Sequence, residues 1–239
     1  MPIRALVDGR LKFESVLFAT DFSPGSYPAS LYAQALATHL SCPLTIMHVF
    51  VPNPNARGGL VQQRSSLEEL IGLAVDALSP RVGGATSLLL EGDAAEVIPH
   101  QAKESGNALL LLGTHGRNTV AERVLEQAAG PTLTVGAHIP EVHKGLTLRR
   151  ILYAADCSPL SVQTAALASA FAASFHSRME IVDESQGQIS TPPVQDAILR
   201  RLRADECDLL VLGAESASTF RLIATAPCPV LSIPAASVQ

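Results

Sequence analysis

The chain has no tryptophan, and aromatic residues make up only 4% of it. A core of aliphatic side chains, chiefly leucine, alanine, valine and isoleucine, is therefore expected. Charge is also scarce, at 16% against 47% hydrophobic residues. That balance excludes a disordered chain and points to a well-buried globular one. Positive charge shows no excess: 17 Lys and Arg against 22 Asp and Glu leave a net charge of −5. Nothing in this balance would neutralise a phosphate backbone, so no nucleic-acid partner is expected. No apolar run approaches the roughly 20 residues of a membrane-spanning helix. The opening MPIRALVDGRLKFES lacks the apolar segment of a signal peptide. No membrane partner and a cytoplasmic location are the corresponding expectations. The four cysteines, Cys42, Cys157, Cys207 and Cys228, have no paired spacing and read as reduced, mostly buried thiols. The seven histidines are scattered, and no metal site is expected. The signatures G-x-x-x-x-G-K-[ST], G-x-S-x-G and H-E-x-x-H are all missing. The reading is of a non-enzyme; a dyad of Asp21 with His115 is the one hydrolytic arrangement left open.

What the chain does contain is a repeat. FATDFSP at 18–24 matches YAADCSP at 153–159, and at this offset of 135 the match runs on without gaps to Ile46 and Ile181. Both copies read as strand, Asp-x-Ser-Pro turn, alanine-rich helix and second strand. LLLLG at 109–113 then matches LLVLG at 209–213, an offset of 100, so the second copy is 35 residues shorter in between. The first copy fills that interval with a helix over 65–78, a strand over 87–91 and a helix over 94–105. The second keeps only the last of these, over 194–203. TLTV at 132–135 and VLSI at 230–233 close the two copies. Strands alternating with helices predict two tandem α/β domains with parallel, right-handed open sheets, over 1–143 and 148–239. The second should lack one strand and one helix. The segment 53–60 reads as a surface loop, and the final PCPVLSI suits either a core or an interface between the halves, the core being favoured.

The candidate site gathers at strand ends. Asp21 and Asp156 each follow the first strand of their copy, where a carboxylate can bind a ribose hydroxyl or start a helix as part of an N-cap. The two roles are compatible if Ser23 caps while Asp21 faces a cleft. The strand LTIMHV ends at His48 and Val49. Val49 can offer backbone groups to a flat base, and His48 reads as a hydrogen-bonded core or cleft residue. The stretch LLLLGTHGRNT over 109–119 holds the strongest candidate. An unbroken apolar run suits a strand buried on both faces, and Gly113 and Gly116 permit a tight turn whose amides face an anion. Arg117 adds a charge, and Asn118 or Thr119 can cap the helix VAERVLEQAA. The second copy has Gly213-Ala214-Glu215 here, with a glutamate where the first has His115. A carboxylate repels phosphate, so that position should be empty.

VLFATDFSP, LTIMHV, EGDAAEVI, LLLLGTHGR and VAERVLEQAAGPTLTV, followed by ILYAADCSP, CDLLVLG and APCPVLSI, together resemble the universal stress protein family in tandem form. The resemblance covers nearly the whole chain. It implies a Rossmann-like five-stranded sheet of order 3-2-1-4-5 in the first half and a four-stranded remnant in the second. It also implies a cytoplasmic stress-response protein that is often dimeric and in many members binds ATP. Pairing of the two halves within one chain, and a homodimer of chains, both fit that pattern. Carried over, Asp21 meets the ribose or adenine end, Val49 contacts adenine through its backbone, and Gly113 and Gly116 open the family's G-x2-G-x9-G-[ST] phosphate loop. Glu126-Gln127 stands where the closing Gly-[ST] belongs. Aligned on the helix instead, Asn118-Thr119 takes that place and the intervening segment is deleted. The expected contacts to an adenine nucleotide are Asp21, Ser23, Val49, Gly113, His115, Gly116, Arg117, Asn118 and Thr119, in the first half only. The rival expectations are a ligand-free scaffold acting through protein contacts and, from rare family precedent, slow ATP hydrolysis.

Overall fold

The computed structural model describes residues 6–7, 10–55, 58–82, 84–114, 120–142, 145–155, 161–183, 194–213 and 217–234. After a short antiparallel hairpin, β1 (Leu6–Val7) with β2 (Arg10–Leu11), the first half runs β3 (Ser15–Ala19), α1 (Tyr27–Leu40), β4 (Leu44–Phe50), α2 (Gly59–Leu78), β5 (Ala85–Glu91), α3 (Ala94–Glu104), β6 (Ala108–Thr114), α4 (Val120–Gln127) and β7 (Thr132–Gly136). The second half runs β8 (Arg150–Ala155), α5 (Ser161–Phe175), β9 (Arg178–Asp183), α6 (Val194–Ala204), β10 (Leu209–Gly213), α7 (Ala217–Thr225) and β11 (Val230–Ile233). The strand order is β5-β4-β3-β6-β7-β11-β10-β8-β9. The first five strands thus have the expected 3-2-1-4-5 order, all parallel. The last four are the same arrangement without its third strand.

One element differs from the sequence expectation. The loop predicted over 53–60 ends early, because α2 begins at Gly59 and not near Ser65. Gly58 takes a left-handed φ of +81° and turns the chain into the helix, a conformation open to glycine without a Cβ penalty. The following Leu60, Gln62, Gln63 and Arg64 are all good helix formers.

The leucine run of β6 shows why these strands are apolar throughout. Leu109 and Leu111 enter a core shared with Phe18, Leu36, Ile46 and Leu133. Leu110 and Leu112 point the other way, to Leu17, Met47, Ile98 and Val124. A strand's side chains alternate between faces, so a sheet with helices on both sides needs both sets.

The two halves do not form separate sheets. β11 pairs antiparallel with β7, with Thr132 opposite Ser232, Leu133 opposite Leu231 and Thr134 opposite Val230. The closing strand therefore serves core and interface together: its residues are buried, and its outer edge is the seam. Further bonds cross it. The Thr134 hydroxyl donates to the Val230 carbonyl (3.2 Å) and His138 Nε2 to the Ala226 carbonyl (2.8 Å). His39 stacks on Phe175 with ring centres 3.8 Å apart and donates from Nε2 to the Ser174 carbonyl (3.1 Å). The first core runs without a break from Phe13 and Val16 to Ile151, Tyr153 and Phe171 across the seam.

The shortening of the second half has a visible cost. Ile46 is fully buried, whereas its repeat counterpart Ile181 on β9 is 61% exposed, because the equivalents of β5 and α2 are missing. β9 is left as an edge strand, and it carries charge: Glu180 pairs with Arg201 (2.9 Å) and Arg178 (3.3 Å), which discourages uncontrolled strand addition. Among the described residues no helix is long and apolar enough to cross a membrane.

Candidate functional site

In the first half the connection from β3 runs to β4 on one side and the connection from its neighbour β6 runs to β7 on the other, so they leave towards opposite edges of the sheet. The crevice at such a switch point, outside the carboxyl ends of the strands, is where open α/β sheets receive ligands. A cavity of about 230 Å³ lies there. Its floor is Ala19 of β3, Met47 and Val49 of β4 and Leu112 of β6; Ala94 and Ile98 of α3 and Val120 and Ala121 of α4 form its walls. Thr20, Asp21, Ser26, Gly113 and Thr114 add its polar side. Asp93 holds the two walls in place. It caps α3 by accepting from the Ala95 amide (2.9 Å) and pairs with Arg123 of α4 (2.9 Å). The Ala95 amide and the Arg123 guanidinium hold the Asp93 carboxyl below the usual carboxylate range.

The turn that places Asp21 is closely specified. The Ser23 amide donates to Asp21 Oδ1 (2.9 Å), and the Phe22 amide to Thr20 Oγ1 (3.0 Å). Thr20 Oγ1 lies 3.0 Å from Ser26 Oγ, which donates to the Ser23 carbonyl (2.9 Å). Phe22 is thereby held at φ +59°, a left-handed conformation uncommon for a bulky residue and typical of constrained functional turns. On the far face of the sheet the His48 ring lies against Phe22, with centres 4.9 Å apart. Its Nδ1 bonds the Thr20 carbonyl at 2.7 Å, so this nitrogen carries the proton. His48 braces the turn from behind and does not line the cavity. Burial pushes the Asp21 carboxyl up, but hydrogen bonding from Ser23 and Ser26 outweighs it and holds the group below its ordinary value.

Two of the expected site residues, Ser23 and Gly113, take roles other than those first assigned, and Val49 stands one residue before its strand's end. Ser23 stands at the N-cap of the short 3₁₀ turn Pro24–Ser26 without a side-chain capping bond; the side chain that engages the turn's amide is Asp21. Val49 lines the cavity but does not end its strand, which continues to Phe50. Gly113 belongs to β6, and a Cβ there would come within 2.7 Å of Ser26 Cα. Its glycine is needed so that the 3₁₀ turn can lie against the strand, and that face of Gly113 is not free for an anion. Asp21, Val49 and Gly113 thus meet at one cavity. His115, Gly116, Arg117, Asn118 and Thr119 lie outside the described residues, as does Asp156. Thr20, Ser26, Thr114 and the α3 residues Ala94 and Ile98 line the cavity without having been singled out. The signal for Thr20 was its contrast with Ala155 at the same repeat position, a hydroxyl present in one copy alone. Among the described residues no three His, Cys, Asp or Glu side chains converge as metal ligands would.

Comparison with known proteins agrees with this fold. Residues 12–135, slightly more than half of the chain, match the model of the universal stress protein family. A universal stress protein from Archaeoglobus fulgidus superposes with a TM-score of 0.75 at 14% identity, covering 94% of this chain and 99% of that one. A Pseudomonas aeruginosa protein of unknown function superposes at 0.58 and 13% identity, covering 94% and 93%. A universal stress protein solved in complex with cAMP is similar over 53% of this chain and 98% of its own, at 18% identity and a TM-score of 0.46. No curated protein sequence matches the chain.

Proposed function

Because the chain belongs to the universal stress protein family, we propose that it is a non-catalytic stress-response module whose first half binds one adenine nucleotide. The observation that carries this reading is the cavity at the β3/β6 switch point. Its apolar slot between Met47, Val49, Leu112 and Ile98 suits a flat base, and Asp21 stands at its rim. An ionised carboxylate there can accept from ribose hydroxyls. In the fit of this group to the chain, the base and the sugar have partners among the described residues. A phosphate would lie towards the connection from Thr114 to Val120 and the N-terminus of α4, where helix amides favour an anion. The second half contributes structure: it covers the β7 edge and carries the first core across the seam. The protein is proposed to act in the cytoplasm through ligand-dependent contacts, without hydrolysing what it binds.

Calorimetry with ATP, ADP and AMP on the wild type and Asp21→Ala tests this. Binding of at least one nucleotide, weakened in the variant, is expected. Absence of heat with all three would leave a ligand-free scaffold, a reading supported by the five-residue connection between β6 and α4, which is short for enclosing several phosphates.

A further inference from the structure

A second cavity, of about 330 Å³, lies where the chain enters β8, β10 and β11, and it shares no lining residue with the first. Tyr32 of the first half meets Cys207, Asp208 and Cys228 of the second there, so neither half holds the cavity alone. Tyr32 is only 8% exposed, and among the described residues no group bonds its hydroxyl. Burial, then Cys228 and Asp208, push that hydroxyl up to about 12, so it keeps its proton. Both neighbours line the cavity, which places the hydroxyl end of the ring there. Asp208 is held in a fixed orientation, since its Oδ2 accepts from the amides of Arg149 (2.6 Å) and Arg150 (2.9 Å). Its Oδ1 accepts from no described group. The Arg150 guanidinium donates elsewhere, to the Asp205 carbonyl. Packing alone does not require this polarity. At the offset of 135 Tyr32 corresponds to Leu167, which is fully buried. At the offset of 100 Asp208 corresponds to Ala108, and Cys228-Pro229 before β11 corresponds to Gly130-Pro131 before β7. A buried hydroxyl that leucine could replace is a cost unless something bonds it.

From this we infer that the cavity is a second binding site, for a small organic ammonium ion that donates to Asp208 Oδ1 and to the Tyr32 oxygen. Its short hydrocarbon part would lie against Ile139, Leu146 and Leu148. The described lining carries carboxylates at Asp208 and Glu141 and no lysine, arginine or histidine, so it favours a cation and repels an anion. Pro140, Pro227 and Pro229 bring no amide N–H to the walls, and a ligand must therefore supply donors of its own. An ammonium group has three. A bare metal ion is less suited, because among the described residues no three His, Cys, Asp or Glu side chains converge on one point. The volume is within the roughly 300–1,000 Å³ of small-molecule sites. Such a ligand would bridge the two halves, and because it binds the folded chain it would stabilise their seam.

The test is nuclear magnetic resonance on the whole chain, isotope-labelled at its tyrosine rings, with butylamine, phenethylamine, butanol and butyrate at neutral pH. The chain has only Tyr27, Tyr32 and Tyr153, and Tyr32→Phe identifies the Tyr32 signals. Both amines are expected to shift Tyr32 saturably at millimolar concentrations and to leave the exposed Tyr27 unmoved. Butanol lacks the charge and butyrate has the opposite one, so neither should shift it. Calorimetry should show amine binding weakened about three- to tenfold by Tyr32→Phe and about tenfold or more by Asp208→Asn. Circular dichroism checks that each variant folds; the phenylalanine keeps the buried ring, so that variant serves even where Asp208→Asn does not fold. No saturable Tyr32 shift with either amine would overturn the inference. So would a shift as large with butanol or butyrate, or unchanged amine affinity in folded Tyr32→Phe. None of these results bears on the nucleotide reading, which rests on other residues.

Discussion

Leu133 and Leu231 occupy the same place in the two repeat copies, and they lie directly opposite each other in the β7–β11 pair. Their neighbours exchange in the same sense: Thr132 faces Ser232, the counterpart of Thr134, and Thr134 faces Val230, the counterpart of Thr132. A pseudo-twofold axis therefore passes through the leucine pair. His39 obeys the same axis, since the Ser174 carbonyl it bonds belongs to its own counterpart at the offset of 135. The chain is an internal pseudo-dimer, and the strand edge on which the axis lies is consumed within it. Further self-association must use another surface.

The first prediction concerns this seam. Leu231 is fully buried and Leu133 is 3% exposed. Leu231→Ala should destabilise the protein by about 2–5 kcal/mol, the range for deleting a leucine from a core. Urea denaturation followed by circular dichroism measures it. A loss under about 1 kcal/mol would mean that the seam is not packed as described.

Gly113→Val tests the close approach of the 3₁₀ turn to β6. A Cβ would sit 2.7 Å from Ser26 Cα, and backbone cannot swing aside as a flexible side chain can. A cost of about 1–3 kcal/mol is expected from overpacking, together with loss of nucleotide binding as Asp21 is displaced. Wild-type stability in this variant would contradict the geometry.

The depressed Asp21 carboxyl gives a pH dependence of defined sign. Its value lies lower folded than in the unfolded chain, where it is about 3.8. Its stabilising contribution is therefore fully present above the unfolded value and lost as pH falls through the folded one. The stability difference between wild type and Asp21→Asn should be constant from pH 7 to about pH 5 and shrink below about pH 4. A difference that instead grew on acidification would show that the carboxyl is raised.

Much of the fold was legible in the residues. The repeat and the 35-residue shortening follow from strand-like runs alternating with helical ones and recurring motifs, while the 3-2-1-4-5 order was implied by the family resemblance and is the order observed. The partner of the closing strand was harder to see. Val230, Leu231, Ser232 and Ile233 are all buried, and such a run looks the same whether its outer neighbour is a helix or another sheet edge. Gly113 was read as a turn glycine whose amide would face an anion. In the fold the group that lies against it is the Ser26 backbone. The Ser26 hydroxyl carried no periodicity or spacing signal, because its importance lies in the bonds it makes within the turn to Thr20 and the Ser23 carbonyl. His48 was read as a hydrogen-bonded core or cleft residue, and the Thr20 carbonyl is its partner.

The thiols provide a further check. Cys42, Cys207 and Cys228 are buried free cysteines. Burial pushes each of them up, Cys207 to about 11 and Cys228 further. The thiolate is the reactive form, so iodoacetamide at pH 7.5 should leave all three unmodified in the native protein and modify them in guanidinium, as read by peptide mass spectrometry. Native labelling at Cys207 or Cys228 would show that the region below the seam opens readily.

The central claim is an internal pseudo-dimer with a single nucleotide site in its first half, and native mass spectrometry of the intact chain with excess AMP or adenosine tests it most directly. One ligand per chain, lost in Asp21→Asn, is the predicted result. Two ligands per chain, or one that persists in the variant, would contradict it.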